Sequence, residues 1–206
     1  MQVPAPSAPN RYRFDAYVHR SCRQRPRSLA RMPRIAAFLR AVNVGGRRIT
    51  NDQLAAACTA AGLDDVATYQ AAGNVVGTTD LSPADAEVHL AAELEAAFGW
   101  AVPTMVRTLD ELAAIAAAEP FGAPVDDATV HVLLCAAPLT RSAARAVAAL
   151  ATAADELHVA GREVYWRRHG KLMEATIDDA ELGRAIDTVT TMRTIGTLQR
   201  MAARFT

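Results

Sequence analysis

The chain has 206 residues, of which 51% are hydrophobic, and its formal net charge at pH 7 is zero. This length fits one domain of ordinary size or two small subdomains, and the hydrophobic content is sufficient for a packed core. No apolar run approaches the ~20 residues that a membrane-spanning helix needs, so the sequence predicts no membrane segment.

The charge is divided unevenly between an N-terminal leader and the rest of the chain. Residues 1–33 contain seven arginines and one acidic residue, whereas residues 34–206 contain 15 basic and 21 acidic residues. The leader is rich in Pro, Ala and Arg without hydrophobic periodicity, which predicts disorder. Because Met32 directly precedes the first predicted strand, the leader is interpreted either as an artefact of start-site choice or as a basic arm that contacts nucleic acid. The acidic body itself does not indicate a nucleic-acid binder.

Residues 34–108 are predicted to form a first α+β subdomain. Thr50 with Gln53 forms a capping-box signature for the first helix, and Ser82 followed by Pro83 marks the start of the second. The element order is βαββαβ, which is typical of a ferredoxin-like fold. The predicted elements are strands over 35–44, 66–71, 74–78 and 103–108 and helices over 50–61 and 82–98.

Residues 109–206 are predicted to form a second subdomain with the order βαββα. Thr108 and Glu111 cap a helix at the junction, and Thr140 begins another. Gly161-Arg162 forms a hairpin-like turn between two short strands. The sequence therefore predicts an α+β fold of two similar ferredoxin-like subdomains, each an antiparallel sheet with helices on one face. The remaining predicted elements are strands over 129–136, 158–160 and 163–167 and helices over 109–118, 140–152, 178–186 and 195–205.

The polar residues at the end of the first predicted strand are the main candidates for a binding site. Arg40 and Asn43 are followed by the turn Gly45-Gly46 and by Arg47. Backbone N–H groups of a Gly-Gly turn and the fork of an arginine both suit a carboxylate or a phosphate. In the competing interpretation, Asn43 bonds its own turn and the arginines are solvated. The sequence has neither the P-loop pattern nor the dinucleotide-binding glycine pattern.

Other polar residues are weaker candidates. Asn74 joins the site if its strand neighbours the first one. Arg107, at the end of the fourth predicted strand, could line the same edge, but a surface salt bridge with Asp110 or Glu111 is the preferred interpretation. The five histidines share no metal-ligand spacing and the three cysteines are isolated, so the sequence predicts no metal and no cofactor.

Six short motifs are spread over nearly the whole body. They are FLRAVNVGG (38–46), TYQAAGNVV (68–76), VPTMVRT (102–108), EPF (119–121), GREVYW (161–166) and TMRTIGT (191–197). They resemble motifs of DUF1697, a bacterial family of unknown function, over about residues 32–206. The resemblance implies an α+β fold of two related subdomains, and it supplies no activity. Arg193 and Thr197 match a terminal family motif, whereas Ala72 stands where members usually have serine and residues 194–196 where many have Asn-Trp-Asn.

The first functional hypothesis is a cytoplasmic protein that binds a small anionic ligand or a protein partner. Its candidate residues are Arg40, Asn43, Gly45, Gly46, Arg47 and Asn74. The alternative is an enzyme that acts on a phosphorylated or nucleotide substrate, with Arg193 and Thr197 joining the site, although no general base or nucleophile is evident. A third hypothesis is nucleic-acid contact through the basic leader. A His, Asp or Glu beside Arg40 and Asn43 would favour an enzyme, and a site of Arg, Asn and backbone groups would favour binding.

Overall fold

The computed structural model describes residues 32–70, 73–170 and 176–206. Residues 32–206 form one compact unit. The predictions for the leader, residues 1–31, lie outside the described residues.

Two consecutive halves of the chain have the same order of strands and helices. The first half contains β1 (Arg34–Leu39), α1 (Asn51–Ala60), β2 (Asp64–Thr68), β3 (Asn74–Thr78), α2 (Pro83–Phe98), β4 (Thr104–Thr108) and α3 (Leu109–Ala117). The second contains β5 (Ala128–Cys135), α4 (Arg141–Ala149), β6 (Asp155–Ala160), β7 (Glu163–His169), α5 (Asp179–Ile186), β8 (Thr190–Thr194) and α6 (Ile195–Phe205).

Each half forms a four-stranded antiparallel sheet, and the two sheets have equivalent topology. The strand orders are β2-β3-β1-β4 and β6-β7-β5-β8, with every neighbouring pair antiparallel. This is the order of a ferredoxin-like sheet. The predicted α+β fold of two ferredoxin-like halves is therefore confirmed.

Hydroxyl and carboxylate caps fix where the helices begin. At each N-cap the side chain accepts a hydrogen bond from the backbone N–H three residues ahead, which satisfies a donor that the helix leaves unpaired. The caps of α1 to α6 are Thr50, Ser82, Thr108, Thr140, Asp178 and Thr194. The capping boxes predicted at Thr50 and Thr108 are both present.

The core is divided into three layers by the two sheets. The outer face of the first sheet, with Ile35, packs on α1 and α2. The inner faces of both sheets, with Phe38 and Leu134, pack around α3 and α6. The outer face of the second sheet, with Trp166, packs on α4 and α5. The inner layer thus belongs to both halves.

None of the helices in the described part of the chain is long and apolar enough to cross a membrane.

Several predicted bounds are shifted by two or three residues, and two elements, β1 and β8, differ more strongly from the sequence prediction. β1 ends at Leu39 instead of Val44, because Ala41 and Asn43 have φ of 61° and 60°, a left-handed conformation that a strand cannot contain. β8 was not predicted, because only Thr191 among its five residues is buried and the strand has no apolar alternation. Pairing with β5 forms this strand in spite of its local sequence.

Candidate functional site

The halves are joined by two arginines in equivalent positions. Arg107 lies on β4 and Arg193 on β8, which are edge strands of the two sheets. Each is followed by a threonine that caps the next helix. Each arginine side chain extends into the other half, so the contacts are reciprocal.

Arg107 is 1% exposed and binds three groups of the second half. Its Nε donates to Glu163 Oε1 at 2.7 Å. Its Nη2 donates to the carbonyls of Cys135 and Arg162 at 3.0 and 3.3 Å. The predicted pairing with Asp110 or Glu111 is wrong, since Glu111 instead completes the cap of α3.

Arg193 makes the equivalent contacts with the first half. Its Nε donates to Asn74 Oδ1, and its Nη2 donates to the carbonyls of Leu39 and Gly73 at 3.0 and 3.2 Å. Its Nη1 donates within β8, to Thr191 Oγ1 and the Met192 carbonyl. Burial lowers the pKa of Arg193 to about 10, so the side chain is still a cation at neutral pH.

The two junctions differ in charge. Glu163 is the first residue of β7 and gives Arg107 a carboxylate partner. The equivalent first residue of β3 is Asn74, a fully buried neutral amide whose Nδ2 donates to the Tyr69 carbonyl. The Arg107 junction therefore contains an ion pair at this position, whereas Arg193 has a neutral amide as its partner at the equivalent position.

The loop between β1 and α1, residues 40–50, is called the β1–α1 loop and lies beside the Arg193 junction. Arg40 Nη1 donates to the Thr190 carbonyl at 2.8 Å, and Asn43 Oδ1 accepts from the Ile49 N–H at 2.8 Å. Gly45 and Gly46 both have positive φ and are exposed. The guanidinium of Arg47 lies over the Trp100 ring at 5.4 Å.

The predicted site residues fall into three positions. Arg40, Asn74 and Arg193 meet at one junction, because Arg193 bonds both Asn74 and the carbonyl that precedes Arg40. The residues Asn43, Gly45, Gly46 and Arg47 follow in the β1–α1 loop. Thr197 lies apart in the first turn of α6, where its hydroxyl contacts that of Thr194 at 3.0 Å.

Sequence reasoning missed Glu87 and Arg162 as junction residues, and it assigned Arg107 to the wrong partners. Arg162 Nη2 donates to Glu87 Oε2 at 2.6 Å, over a separation of 75 residues. A weak signal for the reciprocal arginines is present as an internal repeat, Val-Arg-Thr-Leu at 106–109 and Met-Arg-Thr-Ile at 192–195.

The junction offers hydrogen-bond donors rather than metal ligands. Within residues 32–70, 73–170 and 176–206, no group of three His, Cys, Asp or Glu side chains could hold a metal ion. The partners described for Arg40 and Asn43 are backbone groups, and neither is a His, Asp or Glu side chain. This set of Arg, Asn and backbone groups is suited to holding an anion.

Comparisons with known proteins cover most of the chain. The family model described as "Protein of unknown function (DUF1697)" matches residues 32–165. The fold is similar to that of conserved bacterial protein SP0830 from Streptococcus pneumoniae, with a TM-score of 0.64 and 17% sequence identity, covering 84% of this chain and 98% of that one. At this identity the similarity concerns the fold alone. No curated protein matches the sequence.

Proposed function

The chain belongs to the DUF1697 family of proteins of unknown function, and from that premise we propose that it binds a small anionic ligand at the β1–α1 loop. The candidate residues are Arg40, Asn43, Gly45, Gly46, Arg47 and Asn74, with Arg193 bonded to Asn74.

The observation that carries this proposal is a difference between the two halves. The first half connects its first strand and first helix by residues 40–50, whereas the second half connects the equivalent β5 and α4 by residues 136–140. Val42 and Ile49 of the β1–α1 loop pack into the core, but the second half builds an equivalent sheet with the shorter connection. The sheet topology therefore does not require the longer loop, and binding residues are often found on loops that a rigid scaffold positions.

The charge of this loop supports an anion as the ligand. Arg40, Arg47 and Arg48 are exposed, and none of them takes part in an ion pair with the residues that the structure describes. Asn43 and the two glycines have left-handed backbone, and the bond of Asn43 to the Ile49 N–H holds this turn. Backbone N–H groups in such turns and arginine side chains both suit a phosphate or a carboxylate.

The test is a binding titration by calorimetry with inorganic phosphate, AMP and succinate, on the wild type and two double variants. Arg47→Gln with Arg48→Gln removes two loop cations. Arg141→Gln with Arg145→Gln removes two exposed arginines from α4 and is the matched control. The loop variant is expected to weaken the bound anion at least tenfold, about 1.4 kcal/mol, and the control to leave it unchanged. Equal affinities in all three proteins, or no binding of any of these anions, would contradict the proposal.

A further inference from the structure

The outward edges of β4 and β8 carry equivalent backbone groups. The Arg40 N–H bonds the Pro103 carbonyl, and the Ala136 N–H bonds the Val189 carbonyl. Because inward and outward backbone groups alternate along an antiparallel strand, Val106 and Met192 turn their N–H and C=O away from the neighbouring strand. These two residues precede Arg107 and Arg193, so they are equivalent.

A carboxylate of the chain closes the edge of β4. Glu87 Oε2 accepts from the Val106 N–H at 2.8 Å and from Arg162 Nη2 at 2.6 Å. The Val106 carbonyl accepts from Arg107 Nη1 at 2.8 Å. Both outward backbone groups of Val106 are thus bonded, and the carboxylate is shared between a backbone N–H and a guanidinium.

The edge of β8 has the same parts except for the carboxylate. The Met192 carbonyl accepts from Arg193 Nη1 at 2.8 Å, as the Val106 carbonyl does from Arg107. Arg40 Nη1 is held at the Thr190 carbonyl, two residues along the same edge. Among the described residues none accepts a hydrogen bond from the outward Met192 N–H, and the Met192 residue is 39% exposed.

The two helices that precede these strands also differ. α2 has 16 residues and brings Glu87 onto β4, whereas α5 has eight. The described acidic residues of α5, Asp179 and Glu181, make no hydrogen bond to β8.

We propose that the Met192 N–H and the Arg40 guanidinium together bind the carboxylate of a small molecule, in the arrangement that Glu87 has on β4. Thr190 and Met192 are about 6.6 Å apart along the strand. One carboxylate can therefore reach both the Met192 N–H and the guanidinium of Arg40, which is held at the Thr190 carbonyl. This inference rests on the proposed function, because Arg40 belongs to both sites, and it specifies a carboxylate as the anion.

The charge around the Met192 N–H supports this choice. The guanidinium of Arg193 is bonded to the same residue and stays charged at neutral pH. Across the junction its Nε donates to the neutral amide of Asn74. A carboxylate at the edge of β8 would therefore lie between two cations, Arg40 and Arg193, as Glu87 lies near Arg107 and Arg162.

The test is a set of titrations of the ¹⁵N-labelled full chain with sodium acetate, succinate, inorganic phosphate and an Asp/Glu-rich peptide, followed through backbone amide shifts. The Met192 amide is expected to shift saturably, while the Val106 amide, already bonded to Glu87, does not. Arg40→Gln is expected to weaken the response at least tenfold, and Arg141→Gln, on exposed α4, to leave it unchanged. Glu87→Ala should give the Val106 amide a new response to acetate.

Three results would overturn this inference. The first is a Met192 amide that does not respond to either carboxylate, and the second is an equal response to inorganic phosphate. The third is a response only to an acidic peptide, which would assign the carboxylate to a protein partner. If phosphate still bound through Arg47 and Arg48 while Met192 stayed silent, this inference would fail and the proposed function would stand.

Discussion

Arg107 is the buried charge on which the contact between the halves depends most directly. Its guanidinium is almost fully removed from water, and Glu163 with three backbone carbonyls replaces the lost hydration. Removal of one partner from a buried ion pair leaves the other charge uncompensated, which is more costly than loss of the attraction alone.

Arg107→Met is expected to lower the free energy of unfolding by about 3–5 kcal/mol, because Glu163 loses its cationic partner and the carbonyls of Cys135 and Arg162 each lose one of their donors. Urea unfolding followed by circular dichroism measures this loss. Arg145→Met, at an exposed position on α4, is the control and should change stability by less than about 0.5 kcal/mol. A loss below about 1 kcal/mol for Arg107→Met would show that the pair is dispensable.

His131 gives the protein a predicted sensitivity to mild acid. Desolvation by burial, followed by the positive charge of Arg168, lowers the pKa of His131. In the unfolded chain the imidazole binds a proton below about pH 6.5, while in the folded protein it stays neutral to lower pH. The unfolded state therefore binds more protons in this window, and stability falls as the pH decreases.

His131→Gln should reduce this pH dependence. For one proton the slope is at most about 1.4 kcal/mol per pH unit. Chemical unfolding of the wild type and the variant at pH 7.5 and 5.5 measures the slope, and the variant is expected to lose less stability than the wild type between these values. Identical losses in the two proteins would mean that His131 titrates as it does in the unfolded chain.

Among the elements, the start of β3 shows how a turn can hold an arginine. Gly73 has φ of +69°, and an added Cβ would lie 3.0 Å from the Leu39 Cβ. Its carbonyl and that of Leu39 both accept from Arg193 Nη2. The close approach of the turn to the end of β1 thus places two carbonyls within reach of one guanidinium.

Gly73→Ala is expected to destabilise the protein by about 2–3 kcal/mol, from backbone strain together with the clash against Leu39. Gly161→Ala is the matched control in the equivalent turn between β6 and β7, since it has φ of +62° with no atom within 4 Å of the added Cβ. It should cost only about 1 kcal/mol. Thermal and urea unfolding compare them, and equal costs would exclude the contribution of the clash.

At this scale the sequence predicted what short-range chemistry determines. Caps such as Thr50 and Thr108 could be read from neighbouring residues because their partners lie three positions away. β8 could not, since its pairing with β5 is long-range and its own residues are mostly polar or exposed. Arg107 was misassigned for the same reason, because its carboxylate partner is 56 residues away. The sequence predicted which residues belong to the candidate site. The contacts of Arg107 and Arg193 with the opposite half, which position that site, could be found only from the folded structure.

The whole molecule contains a natural reporter of opening in each half. Cys58 lies on the buried face of α1, and burial raises the pKa of its thiol to about 12. Cys135 is the last residue of β5, and burial raises the pKa of its thiol to about 11. Both are free and fully buried. Since a thiol must be exposed and ionised to react, alkylation of either residue reports opening of the structure around it.

The shared inner layer and the two arginines predict that both halves open together. Iodoacetamide labelling of the native protein, with each cysteine peptide quantified by mass spectrometry, should give opening free energies that agree within about 1 kcal/mol after correction for the unfolded reaction rates. Arg107→Met should lower both by a similar amount. Protection of Cys58 that exceeds that of Cys135 by more than tenfold would instead show that the second half unfolds independently.

The repeated junction also has an evolutionary consequence. A fold that contains the same interface twice can lose one copy of a feature without losing the other. In the Arg107 junction, Glu163 binds the arginine and Glu87 accepts a hydrogen bond from the Val106 N–H. In the Arg193 junction, Asn74 takes the position of Glu163, and no described carboxylate accepts from the Met192 N–H. The Arg107 junction can therefore hold the two halves together while substitutions change the polar groups of the Arg193 junction.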